Sequence, residues 1–341
     1  MNDGRLLEYA INTNPTRVEF ELTERCNLSC RFCYNSQKPV DSSLAEAILQ
    51  RLSDEFIPEI VLTGGEPILH PKFPDILRSC SKLFQKTMIQ TNGTLIDDAL
   101  AELLADNNVF EVNVSLHGSQ HVHDALTQCS GSQHSAVEAI KRLIRCGIRV
   151  SSNFVMTKSN IDDLNNNLEE LYQLGVRCMT LTRFTPTGIG FSNAEMALSR
   201  EEIVNAIDVA DVFKRNHTDA TVLLANSMPF CSLPPSLSDY CEHCHFGASR
   251  FYIDVSGNVL MCGMSRVQLG NITHSTFAEI KRASPVFTRH ILGKDVPLNC
   301  STCSNFQQCR GGCRAAALAN TGNLCGADPY LVLEGAKNNE A

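Results

Sequence analysis

No run of about 18 apolar residues occurs in the 341-residue chain, so no segment is suited to crossing a bilayer as a helix. Residues 1–14 are polar and carry Asp3 and Glu8. They lack the basic stretch followed by an apolar one that marks a secretory signal. Excess positive charge is missing as well. The formal net charge is −8 and no Lys/Arg-rich run offsets it, which argues against a nucleic acid or an anionic membrane as partner. Internal repeats, a Walker A loop and the dinucleotide-binding glycine fingerprint are also absent. What remains is a globular chain expected in the cytoplasm. Its 43% hydrophobic residues suffice for a core, and 19% charged residues are not the signature of disorder. The length suits one large α/β domain joined to a smaller one.

From Arg17 to about Phe184, short apolar runs alternate with amphipathic helical stretches. The pattern predicts strands at 17–23, 59–63, 86–91, 110–116, 148–157 and 176–184. Helices are predicted between them, at 42–55, 73–83, 96–105, 135–145 and 161–174. Strands alternating with helices make parallel βαβ units. Six units fall short of the eight in a closed barrel, so the expected fold is a partial, laterally open β/α barrel. Such folds carry their reactive groups at the C-terminal strand ends. Here Cys26 follows the first strand, Gly64-Gly65-Glu66-Pro67 the second and Thr91-Asn92-Gly93 the third. Ser115 and His117 end the fourth, Asn153 lies on the fifth and Arg183 ends the sixth. Asn113 and Ser115 alternate with Val112, Val114 and Leu116, a polar stripe that suits an interior holding a polar ligand. Taken singly, each polar group serves equally well to satisfy neighbouring backbone. His117, His121 and His123 fit no common metal spacing and read as a solvated loop.

A helix is predicted at 200–214, then a proline-rich linker at 228–238. A hairpin follows at 250–262, where Phe251, Ile253 and Val255 alternate. Beyond Lys294 the chain is mostly cysteine, glycine and loop. The expected division is an N-terminal segment 1–16, a barrel 17–190, a helix and linker 191–240, and a loop-rich, cysteine-rich domain 241–341 that contains the hairpin.

The chain has 16 cysteines. Disulfides are rare in a reducing compartment, so clustered cysteines there read as metal ligands or redox groups. Cys80, Cys129, Cys146 and Cys178 stand alone and read as small buried hydrophobes. Cys26, Cys30 and Cys33 form C-x3-C-x2-C. A cluster of four irons normally takes four thiolates, so three leave one iron open to an outside molecule. Zinc is the competitor and would need a fourth ligand, for which His70 is nearest in sequence. Near the other end, twelve residues separate Cys244 from Gly257 and four separate Gly257 from Cys262. Then come Cys300, Cys303, Cys309 and Cys313 as C-x2-C-x5-C-x3-C, with Cys325 closing the set. Zinc ribbons are the structural alternative for this set.

Cys26, Cys30 and Cys33, with Gly64-Gly65-Glu66-Pro67, resemble the radical S-adenosylmethionine (SAM) superfamily over roughly 17–184. The resemblance implies that the open iron chelates the amino and carboxylate groups of SAM. An electron then cleaves the sulfonium bond, and the 5′-deoxyadenosyl radical abstracts a hydrogen from the substrate. It implies contacts from Gly64, Gly65, Glu66 and Pro67 to the methionine amino group, through a carbonyl or the carboxylate. Ser115, Asn153 and Arg183 match the ribose and carboxylate contacts. The C-terminal pattern resembles the SPASM extension, which implies two auxiliary 4Fe–4S clusters and three in all. By that resemblance Cys244, Cys262 and Cys313 hold the first auxiliary cluster. The fourth ligand of that cluster is expected to be Cys241, which sits beside Cys244 in sequence, with Cys231 as the fallback and solvent or substrate as the remaining alternative. Cys300, Cys303, Cys309 and Cys325 hold the second.

Most SPASM enzymes act on a ribosomally made peptide, so the leading expectation is a precursor peptide that is crosslinked, epimerised or oxidised. A radical dehydrogenase or cofactor-pathway enzyme acting on a small molecule is the alternative, and a non-catalytic iron–sulfur electron carrier is a third reading. Gly263 stands where sulfatase-maturing enzymes usually carry an acid, which argues against that activity. Only 25 residues precede Cys26, too few for a leader-peptide-binding domain. A separate recognition protein or direct barrel binding is therefore expected, with a flavodoxin or ferredoxin as reductant.

Overall fold

The computed structural model describes residues 3–36 and 43–332. Among them, ten strands form one sheet: β1 (Arg17–Thr23), β2 (Glu59–Gly64), β3 (Lys86–Thr91), β4 (Glu111–Ser115), β5 (Val150–Met156), β6 (Cys178–Arg183), β7 (Thr221–Ala225), β8 (Arg250–Ile253), β9 (Asn258–Leu260) and β10 (Gln268–Asn271). The order across the sheet is β10-β9-β8-β1-β2-β3-β4-β5-β6-β7. Strands β1 to β7 are parallel neighbours in chain order, each joined to the next by helical crossovers. This is the partial, open barrel that the alternating pattern predicts.

Each strand buries one face under the helices and turns the other inward. On β1, Val18, Phe20 and Leu22 are buried at 1% exposure or less, while Glu19 alternates with them. On β4, Val112 and Val114 are buried while Asn113 and Ser115 are half-exposed inside the barrel. Period-two alternation in a parallel strand thus separates an apolar outer layer from a polar lining.

The structure adds two features to the expected barrel. A seventh parallel strand, β7, pairs with β6 from Cys178↔Thr221 to Thr182↔Ala225. It follows the helix Arg200–Asn216, whose start is fixed by a Ser199/Glu202 capping box. The hairpin of the cysteine-rich region is also continuous with the barrel. β8 lies parallel to β1, from Arg17↔Arg250 to Phe20↔Ile253. β9 and β10 extend the sheet antiparallel from there. The helix Asp3–Asn12 packs on the helices Phe277–Ala283 and Pro285–Ile291, and buried Lys281 ties it down with Nζ 2.6 Å from the Thr13 carbonyl oxygen.

The last segment is built of short helices, Leu298–Ser301, Phe306–Cys309 and Arg314–Thr321. Arg314 organises it. Its buried guanidinium donates to the carbonyls of Asp295, Leu324 and Gly326, each at 3.0 Å. A side chain thereby does the work that a sheet does elsewhere. Among the described residues, no helix is long and apolar enough to cross a membrane.

Candidate active site

Cys26, Cys30 and Cys33 lie on the loop that leaves the C-terminal end of β1. The Gly64-Gly65 pair crosses directly beneath it. Gly65 N donates to the Thr23 carbonyl at 2.7 Å, and Glu66 N donates to the Arg25 carbonyl at 2.8 Å. A Cβ on Gly65 would stand 2.2 Å from the Arg25 oxygen, and one on Gly64 would stand 2.2 Å from the Thr23 oxygen. Gly64 also has φ 140. Only glycine permits this approach. Gly65→Ala is therefore expected to push the Cys26 loop off β2 and to weaken SAM binding by roughly tenfold or more. Equilibrium dialysis with the iron-loaded protein checks this, and unchanged affinity would count against the cradle.

Glu66 is fully buried, and its carboxylate is spent on its own loops. It accepts from Thr91 Oγ1 at 2.9 Å, Asn92 N at 2.8 Å and Ile68 N at 3.3 Å. Burial pushes its carboxyl up to about 7 against the pull of those donors. Glu66 pins the ends of β2 and β3 together. Gly64 and Gly65 line the cavity, and the buried Glu66 carboxylate stands behind them. Pro67 begins a buried helical turn beside it.

The three thiols sit among N–H donors. Leu28 N lies 3.4 Å from Cys26 Sγ, Asn35 N lies 3.4 Å from Cys33 Sγ, and Asn92 Nδ2 lies 3.8 Å from Cys26 Sγ. Burial raises all three thiol pKa values, that of Cys33 to about 11, and the charges of neighbouring thiols raise Cys30 and Cys33 further. Thiols that repel one another as anions, two of them near donors, suit a shared polycation that deprotonates all of them. No group of three His, Cys, Asp or Glu among the described residues closes around a single ion.

A cavity of about 750 Å³ runs down the barrel from these thiols. The polar stripe faces into it: Asn113, Ser115 and Asn153 all line the wall. Asn113 Nδ2 donates to Ser151 Oγ and Ser151 Oγ to Glu111 Oε1, both at 2.8 Å. Thr182 Oγ1 donates to Asn153 Oδ1 at 2.6 Å. Glu19 also faces the cavity, and among the described residues it has no hydrogen-bond or ion-pair partner. Burial pushes its carboxyl up to about 7 against the opposing charges of Arg17 and Arg250.

Arg183 lines the cavity and is paired with a carboxylate of the C-terminal segment. Its side chain is fully buried and grips Asp328 with Nη1 at 3.0 Å and Nη2 at 2.5 Å. Its guanidinium is committed to the C-terminal segment. Burial opposes its charge, but Asp328 outweighs that and holds the pKa above the ordinary arginine value. The histidines differ from expectation. His121 is exposed, but His117 and His123 are each 2% exposed, with ring centroids 5.4 Å apart. Phe32 of the cysteine loop packs edge-on against His117 at 4.6 Å. Burial lowers both pKa values, so these rings are neutral packing that backs the loop. Asp124 caps the following helix, accepting from Gly131 N at 2.6 Å and Gln133 N at 3.0 Å.

At the other end of the cavity stand Cys244, Cys262 and Cys313. Burial first, then the charge of Cys313, raises the thiols of Cys244 and Cys262, the latter to about 11. Cys241 feels other thiols. Its thiol is raised to about 12 by burial, then by Cys309 and Cys231. Cys300 is raised to about 11 by burial, then by Cys309, with Cys231 and Cys303 adding to it. Phe230 N lies 3.4 Å from Cys309 Sγ. Cys231, Cys241, Cys300, Cys303 and Cys309 therefore form one neighbourhood. Cys325 lies under Arg289, whose Nη2 is 2.8 Å from its Sγ. Placing Cys241 beside Cys244 follows sequence distance alone. The backbone at Cys241 is extended.

Residues 20–171 match the Radical SAM superfamily, and residues 241–313 match SPASM, an iron–sulfur cluster-binding domain. The AdoMet-dependent heme synthase of Oleidesulfovibrio alaskensis is 23% identical over 338 residues, spanning 93% of this chain and 87% of that protein. The PqqA peptide cyclase of Gluconobacter oxydans is 25% identical over 334 residues, spanning 94% of this chain and 91% of that protein. The crystal structure of Streptococcus suis SuiB bound to precursor peptide SuiA aligns with a TM-score of 0.78 at 17% identity, covering 97% of this chain and 79% of that one. At that identity the likeness concerns the fold.

Proposed function

This chain is a radical SAM/SPASM enzyme with peptide-maturase-like relatives, and from that premise we propose that it abstracts a hydrogen atom from a precursor peptide held in the barrel cavity. The observation that carries the reading is the cavity itself. It joins the Cys26, Cys30 and Cys33 loop at one end to Cys244, Cys262 and Cys313 at the other.

Cys26, Cys30 and Cys33 would hold the cluster that binds SAM. When bound, that pair supplies the 5′-deoxyadenosyl radical for the hydrogen abstraction. The backbone of Gly64 and Gly65 borders the place for the methionine amino group, and Ser115 and Asn153 offer hydroxyl and amide groups for the ribose. Cys244, Cys262 and Cys313 would hold the first auxiliary cluster. Cys300, Cys303, Cys309 and Cys325 would hold the second, with Cys231 and Cys241 close to Cys309. Glu19 is a cavity carboxylate without a partner among the described residues and with a pKa near neutrality, which suits a proton acceptor for the oxidised substrate.

The relative that cyclises the PqqA peptide supports a peptide substrate. The heme synthase relatives support a second reading, a small molecule of tetrapyrrole type in the same cavity. Anaerobic incubation with SAM, reductant and either a candidate precursor peptide or a tetrapyrrole separates the two. Mass spectrometry in H2O and D2O is expected to show the peptide losing a hydrogen pair or gaining deuterium. A peptide unaltered in both solvents, while 5′-deoxyadenosine accumulates, would overturn the peptide reading.

A further inference from the structure

Arg266 sits in the turn between β9 and β10, four positions after Cys262, with a left-handed backbone at φ 48. Its N–H donates to the Cys262 carbonyl at 3.1 Å. The Cys262 Sγ is 3.3 Å from both N and Oγ of Ser265. Cβ-bearing residues are disfavoured in this backbone region, which usually takes glycine or asparagine. A residue held there by its surroundings points to a task for its side chain.

That side chain leaves the cysteine-rich region and crosses to the barrel. Its Nη1 and Nη2 lie 3.1 and 3.2 Å from Glu21 Oε2 on β1. Glu24 at 3.7 Å and Asp254 at 3.8 Å complete its acidic surroundings. Glu21 is fully buried, and its other oxygen accepts from Asn35 Nδ2 at 2.6 Å. Asn35 is 1% exposed, and its N–H lies 3.4 Å from Cys33 Sγ. A continuous polar chain thus runs from the Cys33 thiol through Asn35, Glu21 and Arg266 to the turn that holds Cys262. It links the two cluster loops behind the cavity wall. A buried ion pair is weak evidence of added stability, and fixing one arrangement is its better-attested use.

We propose that Arg266 is a positioning residue that couples the first auxiliary site to the SAM site. Occupation of Cys244, Cys262 and Cys313 fixes the turn, and Arg266 passes that order through Glu21 and Asn35 to the loop of Cys33. SAM then binds more tightly when the first auxiliary cluster is in place. This rests on the radical SAM/SPASM reading above.

The test is a double-mutant cycle on the full chain, reconstituted anaerobically, with the SAM dissociation constant as readout. The proteins are wild type, Arg266→Met, Cys244→Ala/Cys313→Ala, and the combination, each checked for its N-terminal cluster by iron content and electron paramagnetic resonance. Arg266→Met and loss of the auxiliary cluster are each expected to weaken binding roughly tenfold, and their combination by no more than either alone. Arg266→Lys keeps the charge but loses the two-pronged contact and should fall between. Wild-type affinity in Arg266→Met, or losses that multiply in the combination, would overturn the coupling. Should Arg266→Met fail to hold its N-terminal cluster, Glu21→Gln takes its place in the cycle with the same criterion. Wild-type protein that binds no SAM at all would instead overturn the underlying assignment.

Discussion

Asp328→Ala is expected to lower the unfolding free energy by about 3–5 kcal/mol, because it strands a buried arginine charge. Arg183 and Asp328 have fully buried side chains and make two hydrogen bonds with each other. Asp328 also accepts from Cys313 N at 2.9 Å and Tyr330 N at 3.0 Å. The Tyr330 ring lies 5.0 Å from the guanidinium, and its hydroxyl donates to the Leu198 carbonyl at 2.6 Å. Arginine cannot shed its proton to escape, so the loss falls on folding. Replacing both partners, Arg183→Met with Asp328→Leu, should cost less than the single change, since no charge remains buried. Urea unfolding of the three proteins measures this. A single variant as stable as wild type would show that the C-terminal segment is not bolted to β6 as described. The pair also has a functional side, because Asp328 holds the backbone of Cys313.

Cys30→Ala should have the largest effect on activity. Formation of 5′-deoxyadenosine from SAM is expected to fall to the background of reductant alone. About four irons per chain should be lost, with the remaining clusters retained. Burial raises the Cys30 thiol, and the charges of both Cys33 and Cys26 raise it further. A variant that kept its iron and cleaved SAM at the wild-type rate would remove the three-thiol loop from the mechanism. The same substitution at isolated Cys80, which is fully buried beneath the barrel helices, should leave SAM cleavage intact.

Much of this site is legible in the sequence, for reasons that are physical. The alternation of Val112, Val114 and Leu116 with Asn113 and Ser115 reports which face of β4 meets the cavity, because strand geometry leaves no other choice. The glycine pair after β2 reports a close backbone approach, which the carbonyls of Thr23 and Arg25 confirm. The cysteine spacings mark the loops, since nothing else in the chain repeats such a register. Long-range partners leave no such trace. Arg183 and Asp328 are 145 positions apart, and nothing local tells an ion pair from a ligand contact. Glu21 and Arg266 are 245 apart. β7 is five residues long beside a proline-rich stretch, too short for its alternation to stand out. The pairing of β8 with β1 was equally hidden, since a hairpin motif says nothing about which sheet it extends. Cys241 shows the limit most clearly. Proximity in sequence suggests Cys244 as its companion, while the folded chain also brings Cys309 and Cys231 close enough to raise its thiol.

The most direct measurement is the electron paramagnetic resonance spectrum of the reduced, anaerobically reconstituted protein, before and after SAM is added. If the loop of Cys26, Cys30 and Cys33 leaves an iron free for SAM, one cluster signal shifts on addition, and that shift vanishes in Cys30→Ala while the other signals persist. A spectrum indifferent to SAM, or a protein that takes up zinc and no iron at this loop, would contradict the account.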